Sequence, residues 1–331
     1  MSNHPSENCS TEENPLYVFY SSVMIVEFVL ALPLNLSVIY IFIFKLKFWK
    51  TKGNNIFLFN LVLADVLLLI CLPVKAADYK KGQRWNDSDV VCKAMLFVMF
   101  LNRGASIAFL TLISIDRYFR VVHPGKRVFH RILKKSPIIS VCIWLVLLPM
   151  TIPTMLKTFE CCAQSREDDN IIDTFRKILF FSQVLIPFVI LVFCSAQIIK
   201  RLTQKSVGDK TKLRRAVFLV SMVMLVFSLC FLPSTISRMV LLIVRDMDSE
   251  DAERIAVNVY DGFMCLSFLD CLLDPIVYCL TSTKFKDVYV STFLPCLRAE
   301  EEQPEESTQS AGNNPNPGRV QTTPSIKYQC Y

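Results

Sequence analysis

Glycine is scarce in this chain, at 8 of 331 residues, and so are His and Trp, at 3 each. So little Gly excludes collagen-like repeats and flexible Gly-rich segments as the main architecture. Charged residues make up only 20%, against roughly 25% in an ordinary soluble domain. His4, His123 and His130 all lie outside the long apolar runs. No His-based metal centre or Ser/His pair can therefore be assembled inside those runs, which argues against an enzyme. The 13 Cys are too sparse over this length for a small disulfide scaffold. Apolar residues are abundant instead: 53% of the chain, including 25 Phe, with a mean hydropathy of +0.40. A disordered chain is excluded by that composition. The formal charge of +7 raises nucleic acid as a partner, but only if the basic residues share one soluble face.

A membrane-crossing helix needs about 20 mainly apolar residues. Seven stretches meet this: 16–44, 53–74, 94–115, 136–156, 178–199, 216–242 and 255–283. Seven such helices in one chain are not plausible in water. Pro33, Pro149, Pro153, Pro187, Pro233 and Pro275 fall inside the runs, which membrane helices tolerate better than soluble ones. The expected fold is an all-α membrane protein, a seven-transmembrane helix bundle over 16–283. A short amphipathic surface helix follows over 284–298, and a Ser/Thr/Pro/Asn-rich tail over 299–331 reads as disordered.

The basic residues sort by loop. The loops after runs one, three and five, with the surface helix and Asp116-Arg117, hold 21 Lys and Arg against 3 acids. Residues 1–15 and the alternate loops hold 10 against 16. By the positive-inside rule the N-terminus is outside and the C-terminus inside. The charge records topology and is no nucleic-acid footprint. Residues 1–15 lack a basic n-region and a cleavage site, so the first run reads as an uncleaved signal-anchor. Asn8 and Asn86 are then outside, in N-x-Ser glycosylation sequons, and Cys296 is a candidate for palmitoylation inside. Cys92, Cys161, Cys162 and Cys9 also lie outside, where disulfides persist. A bond from Cys92 to Cys161 or Cys162 is expected, with Cys9 open to the remaining one.

An ionisable group within a span is a functional candidate by default. Arg103 lies 14 residues before Arg117 on one helix, roughly 21 Å apart along it. That depth suits an anion anchor, because guanidinium pairs a carboxylate bidentately. The competing reading is internal neutralisation by Asp270 or Glu27. Asp65, Ser106 and Asp274 sit at comparable depth. With Asn102 and Asp270 they could hold a small hard cation such as sodium, or a proton, or simply a water network. No other cofactor is expected.

The ordered landmarks resemble the rhodopsin-like G-protein-coupled receptors. They are Asn35, Leu63-Ala64-Asp65, Cys92, Asp116-Arg117-Tyr118, Trp144, Pro187, Cys230-Phe231-Leu232-Pro233 and Asp274-Pro275-Ile276-Val277-Tyr278. Asn102-Arg103, the stretches 47–50, 56–61 and 116–124, and 231–234 followed by Arg238 are similar to the hydroxycarboxylic acid receptors and their oxidised-fatty-acid neighbours. The resemblance implies a ligand carboxylate held by Arg103 and an outer pocket lined by Arg238. It implies a switch involving Asp116, Arg117, Tyr118, Tyr278, Phe231 and Pro233. It also implies coupling to a heterotrimeric G protein of inhibitory (Gi) type, with arrestin as a partner for the Ser/Thr tail. Five positions depart from the usual pattern, among them Asp270 in place of a more usual asparagine and Phe231 in place of the Trp often found in the switch motif. Phe268 replaces a ligand-contacting tyrosine, Lys75 adds a cation near the pocket mouth, and Leu213 replaces a Glu able to lock Arg117. Phe268 with Met95, Met99, Met239 and Leu242 tilts the ligand from a small hydroxy acid toward a lipid. An organic-anion transporter is the alternative, but no internal repeat supports it.

Overall fold

A computed structural model describes residues 15–47, 54–84, 86, 88–125, 131–132, 135–152, 171–204, 210–245, 247 and 249–293. Asn8, Cys9, Cys161, Cys162, Cys296 and the tail fall outside them.

The described residues are almost wholly helical, with no strand among them. Helix α1 (Pro15–Tyr40) runs into a π turn, Ile41–Lys45. Then come α2 (Asn54–Lys80), α3 (Asp89–Val121), α4 (Ser136–Thr151) and α5 (Ile171–Gln204). Helix α6 (Lys210–Val226) continues through a π turn, Phe227–Phe231, into α7 (Leu232–Arg245). Helix α8 (Glu250–Leu266) passes a 3₁₀ turn, Ser267–Leu269, into α9 (Asp270–Thr281), and α10 (Thr283–Phe293) closes the series. Among the described residues six helical runs are long and apolar enough to cross a membrane, and α4 is a shorter apolar helix.

The helices outrun the apolar stretches that predict them. Helix α3 begins at Asp89 rather than near residue 94, and ends at Val121. Ion pairs one turn apart support both extensions: Lys93 to Asp89 at 2.6 Å and Arg120 to Asp116 at 2.7 Å. The last predicted run is not one helix, because the 3₁₀ turn interrupts it.

The bundle is inside-out for a protein in water. Val189, Ile70 and Leu145 are 67%, 65% and 64% exposed on its outer surface, while Glu27, Asn35, Asp65, Asn102, Ser106 and Asp274 are buried. An apolar outer surface with polar groups within is the pattern for a lipid-embedded bundle. Helix α3 is central and touches α2, α4, α5 and α6, while α1 packs on both α2 and α9.

Polar side chains repair the backbone where Pro breaks it. Pro275 has no N–H, which frees the Cys271 carbonyl one turn earlier. Asn35 Nδ2 on α1 donates to that carbonyl at 2.9 Å, joining α1 to α9. Trp144 Nε1 donates to Asn60 Oδ1 at 2.8 Å, joining α4 to α2. Helix α10 folds back on the end of α1: Phe285 packs on Phe42, and the Tyr289 and Ser37 hydroxyls lie 3.2 Å apart. Gly104 lets α4 approach α3, since a Cβ there would meet Leu147 Cδ2 at 2.8 Å.

Candidate functional site

Among α2, α3, α5, the π turn before α7, and α8–α9 lies a cavity of about 520 Å³. Its wall is mainly apolar: Leu68, Leu96, Met99, Phe100, Phe180, Phe231, Met264 and Phe268. Asn102, Arg103, Tyr260, Ser267 and Asp270 supply its polar atoms. A few convergent polar groups in an apolar cleft of a few hundred Å³ form the usual small-molecule site.

Arg103 is the cation of this wall, and it is buried. Its Nη1 donates to Ser234 Oγ at 3.0 Å, and its Nη2 to Thr235 Oγ1 at 2.6 Å and to the Phe231 carbonyl at 3.2 Å. The guanidinium lies 4.6 Å from the Phe180 ring centre. Nε has no hydrogen-bond partner among the described residues. None of these partners carries charge. No ion pair within 4.0 Å joins Arg103 to Asp270 or Glu27 among the described residues, although Asp270 lines the same cavity.

Local backbone chemistry explains how α7 presents these acceptors. The π turn before Pro233 closes with Leu232 N–H on the Phe227 carbonyl. Ser234 and Thr235 follow at once, and their hydroxyls also donate to the Phe231 carbonyl at 3.1 and 2.7 Å. Both hydroxyls and that carbonyl therefore converge on Arg103. The Ser-Thr pair after Pro233 was the available signal for this clamp, and reading Pro233 only as a switch residue passes over it.

The other predicted residues are distributed more widely. Met99 and Phe268 line the main cavity and also a smaller adjoining one of about 190 Å³. Lys75, with Cys71, Leu72 and Met95, lines the smaller cavity. It is buried, donates to the Arg84 carbonyl and lies over the Tyr79 ring at 4.4 Å. Arg238 is half-buried and stands outside the cavity wall, 5.5 Å from the ring of Tyr260, which does line it. Met239 is 49% exposed and faces outward, so it adds nothing to a lipid-binding wall.

Outside the cavity wall lies a cluster that sequence reasoning missed. Arg84 donates to Asp261 Oδ1 through Nε at 3.1 Å and Nη2 at 2.8 Å, and Tyr17 donates to Asp261 Oδ2 at 3.2 Å. Burial works against the Arg84 charge, but Asp261 outweighs it and holds the guanidinium above its ordinary range. Charges 177 positions apart give no local pattern to detect. Arg245 pairs with Glu253 at 2.8 Å across the α7–α8 connection. Asn86 donates through Nδ2 to Asp78 Oδ1 at 2.8 Å, so a glycan there would displace that bond.

Deeper in the bundle, Tyr278 donates to Asp65 Oδ2 at 3.2 Å, and Ser106 to Asn102 Oδ1 at 3.0 Å. Both Asp274 oxygens and Asp65 Oδ1 are buried and lack a hydrogen-bond partner among the described residues. Such orphaned oxygens fit a monovalent cation or a proton. No group of three or more His, Cys, Asp or Glu suited to a metal converges there among the described residues. At the Arg117 end, Asp116 is engaged by Arg120, and the Tyr118 hydroxyl lies 3.1 Å from His123 Nε2. Arg215 on α6 donates to the carbonyls of Leu280 and Cys279 at the end of α9, at 3.2 and 3.4 Å. Cys92 is disulfide-bonded, with its partner outside the described residues, while the other described cysteines, from Cys71 to Cys279, are free.

Residues 34–278 match the family model "7 transmembrane receptor (rhodopsin family)". The chain belongs to the rhodopsin family of seven-transmembrane receptors. It is 36% identical over 293 residues to the mouse (Mus musculus) 12-(S)-hydroxy-5,8,10,14-eicosatetraenoic acid receptor, covering 85% of this chain and 91% of that one. It is 34% identical over 284 residues to human (Homo sapiens) hydroxycarboxylic acid receptor 2, covering 83% and 78%. With human oxoeicosanoid receptor 1 the identity is 27% over 284 residues, covering 83% and 72%. The receptor is thus a multi-pass plasma-membrane protein and not an enzyme, and it is similar to hydroxycarboxylic acid and eicosanoid receptors.

Proposed function

We propose that this receptor crosses the membrane seven times with its N-terminus outside, α4 being the fourth span and α10 lying on the inner surface. It binds a carboxylate-bearing hydroxycarboxylic acid or oxidised fatty acid from outside and activates a heterotrimeric G protein, of inhibitory type. Arg103 holds the ligand carboxylate. The single observation behind this reading is a buried guanidinium clamped by neutral acceptors on the wall of a largely apolar cavity. A buried cation held only by neutral hydrogen-bond acceptors is complementary to a ligand carboxylate, and the clamp leaves its remaining N–H groups pre-oriented. The names of the relatives support the same ligand class.

The apolar wall favours the lipid end of that class. Phe268 and Met99, shared by the two cavities, give an apolar tail a route past Lys75. Ligand binding favours one arrangement of the bundle by its differential affinity, opening the end that carries Asp116, Arg117 and Tyr118. Phe231, whose carbonyl meets Arg103, together with Pro233 and Tyr278 links that site to the G-protein end. Asp65, Asp274, Ser106 and Asn102, with Asp270 at their edge, hold a sodium ion or proton that biases the same equilibrium. The Ser/Thr-rich tail recruits arrestin.

The test is a cAMP-coupled dose–response with carboxylates from lactate to hydroxylated arachidonate. Removal of one charge-assisted contact costs about 1.5–3 kcal/mol, or roughly ten- to 150-fold in potency. Arg103→Gln is expected to lose that much while reaching the cell surface at the normal level. An unchanged dose–response removes the anchor role. Carboxylate flux through reconstituted protein would point to a transporter instead.

A further inference from the structure

A second cation borders the ligand space. Beside the cavity that Arg103 lines is the smaller one of about 190 Å³, and Leu68, Met99 and Phe268 line both. Lys75 lines the smaller one, one turn after Cys71 on α2, and is 4% exposed. Its Nζ donates to the Arg84 carbonyl and lies over the Tyr79 ring, and both of these partners are neutral. The acids whose fields reach it are themselves engaged by others: Asp261 by Arg84 and Tyr17, and Asp78 by Asn86. An ammonium carries three donors on a flexible stem, so it can keep a bond to a carbonyl while turning another donor to an incoming anion.

Helix α3 sets the spacing of the two cations. Met95 shares the smaller cavity with Lys75 and precedes Arg103 by two turns and a little more, a rise of about 12 Å. An extended chain advances about 1.2 Å per bond, so roughly ten bonds cover that rise. The side chains common to both cavities, Leu68, Met99 and Phe268, are apolar and suit the methylenes of such a chain. A plain fatty acid anchored on Arg103 brings its methyl end against a buried ammonium, which hydrocarbon solvates poorly. A carboxylate at that end meets the ammonium with a charge-assisted hydrogen bond.

We infer that Lys75 is a second anion subsite, so that this receptor prefers a medium-chain dicarboxylic acid, held by Arg103 at one end and Lys75 at the other, over the monocarboxylic acid of the same length. The inference rests on the carboxylate-anchor reading of Arg103 and adds a second charged group to the ligand. Lys75→Gln tests it most directly. The Gln amide keeps a donor for the Arg84 carbonyl and removes the charge.

The experiment is a cAMP-coupled dose–response on the full-length receptor in cells, with suberate and sebacate, their monomethyl esters, and octanoate and decanoate. In the native receptor the better diacid is expected to exceed both its monomethyl ester and its monoacid in potency by at least about tenfold, the effect of one charge-assisted contact. Succinate, too short to reach both cations, should lack that advantage. In Lys75→Gln the diacid should lose and its advantage shrink to within about threefold. Surface labelling shows that the variant folds, and if it does not, the native diacid-to-ester ratio decides alone. Equal potencies or silent diacids in the native receptor, an advantage that survives Lys75→Gln, or an equal loss of diacid and monoacid in that variant overturn this inference and leave the Arg103 anchor standing. An unchanged monoacid response in Arg103→Gln, or silence of native surface receptor toward every acid including hydroxylated arachidonate, overturns the anchor and this inference with it.

Discussion

Two arginines, Arg103 buried in the bundle and Arg84 half-buried beyond the end of α2, have opposite surroundings. Arg84 meets a carboxylate: two of its nitrogens reach one oxygen of Asp261, while Tyr17 holds the other. Arg103 meets two hydroxyls and a carbonyl, and lines an open cavity. A guanidinium that is paired and satisfied is part of the architecture. One oriented by neutral groups on a cavity wall suits the ligand anchor proposed for Arg103. Burial alone does not separate the two roles, and only the charge of the neighbours does.

The comparison can be broken by mutation. The largest effect is expected at Arg84→Met, which strands Asp261 in a buried site. Removing one partner of such a pair costs about 3 kcal/mol or more, seen as a lower melting temperature of the purified receptor. Adding Asp261→Asn should recover most of that loss. A native melting curve for the single variant would show that the pair is not structural.

Arg103→Met should do the reverse, changing the ligand-free melting temperature little. The Ser234 and Thr235 hydroxyls still donate to the Phe231 carbonyl, so no donor is orphaned, and the desolvation cost of a buried cation disappears. The net change is expected within about 1 kcal/mol, although agonist response is lost. A collapse in stability equal to that of Arg84→Met would make the two arginines alike.

A third arginine gives the smallest effect. Arg215 caps α9 by donating to the Leu280 and Cys279 carbonyls, which the helix itself leaves unpaired. It ties α6 to α9 where Leu213 offers no acid to hold Arg117. Arg215→Ala should weaken this α6–α9 contact by about 1 kcal/mol and, if the contact holds the G-protein end shut, raise ligand-independent signalling roughly fivefold. Basal cAMP signalling at equal surface expression reads this out, and an unchanged basal level means that the contact does not bias the switch.

Much of the fold was legible because lipid imposes a simple rule. Every span must satisfy its own backbone and present apolar side chains, so run length and composition announce it. The prolines were legible as membrane-tolerated breaks, but their repair was not. That Asn35 answers the carbonyl freed by Pro275 depends on two helices meeting. Arg103 stood out for the same physical reason as the spans, since a charge in that setting needs a purpose. Its clamp and the Arg84–Asp261 pair did not stand out, because each joins positions more than a hundred residues apart.

The order of residues by itself therefore determined an all-helical membrane bundle, the depth of its few internal charges and the landmarks of its receptor family. These are one-dimensional quantities, set by hydropathy, helical rise and spacing. Which charge is neutralised and which is kept was decided only by packing. A 3₁₀ turn in α8–α9 brought Asp270 to the wall of Arg103. A π turn before Pro233 placed neutral acceptors, rather than an acid, around that arginine. Electrostatic partnership falls off within a few ångströms, and distances of that size between helices exist only once the helices have met.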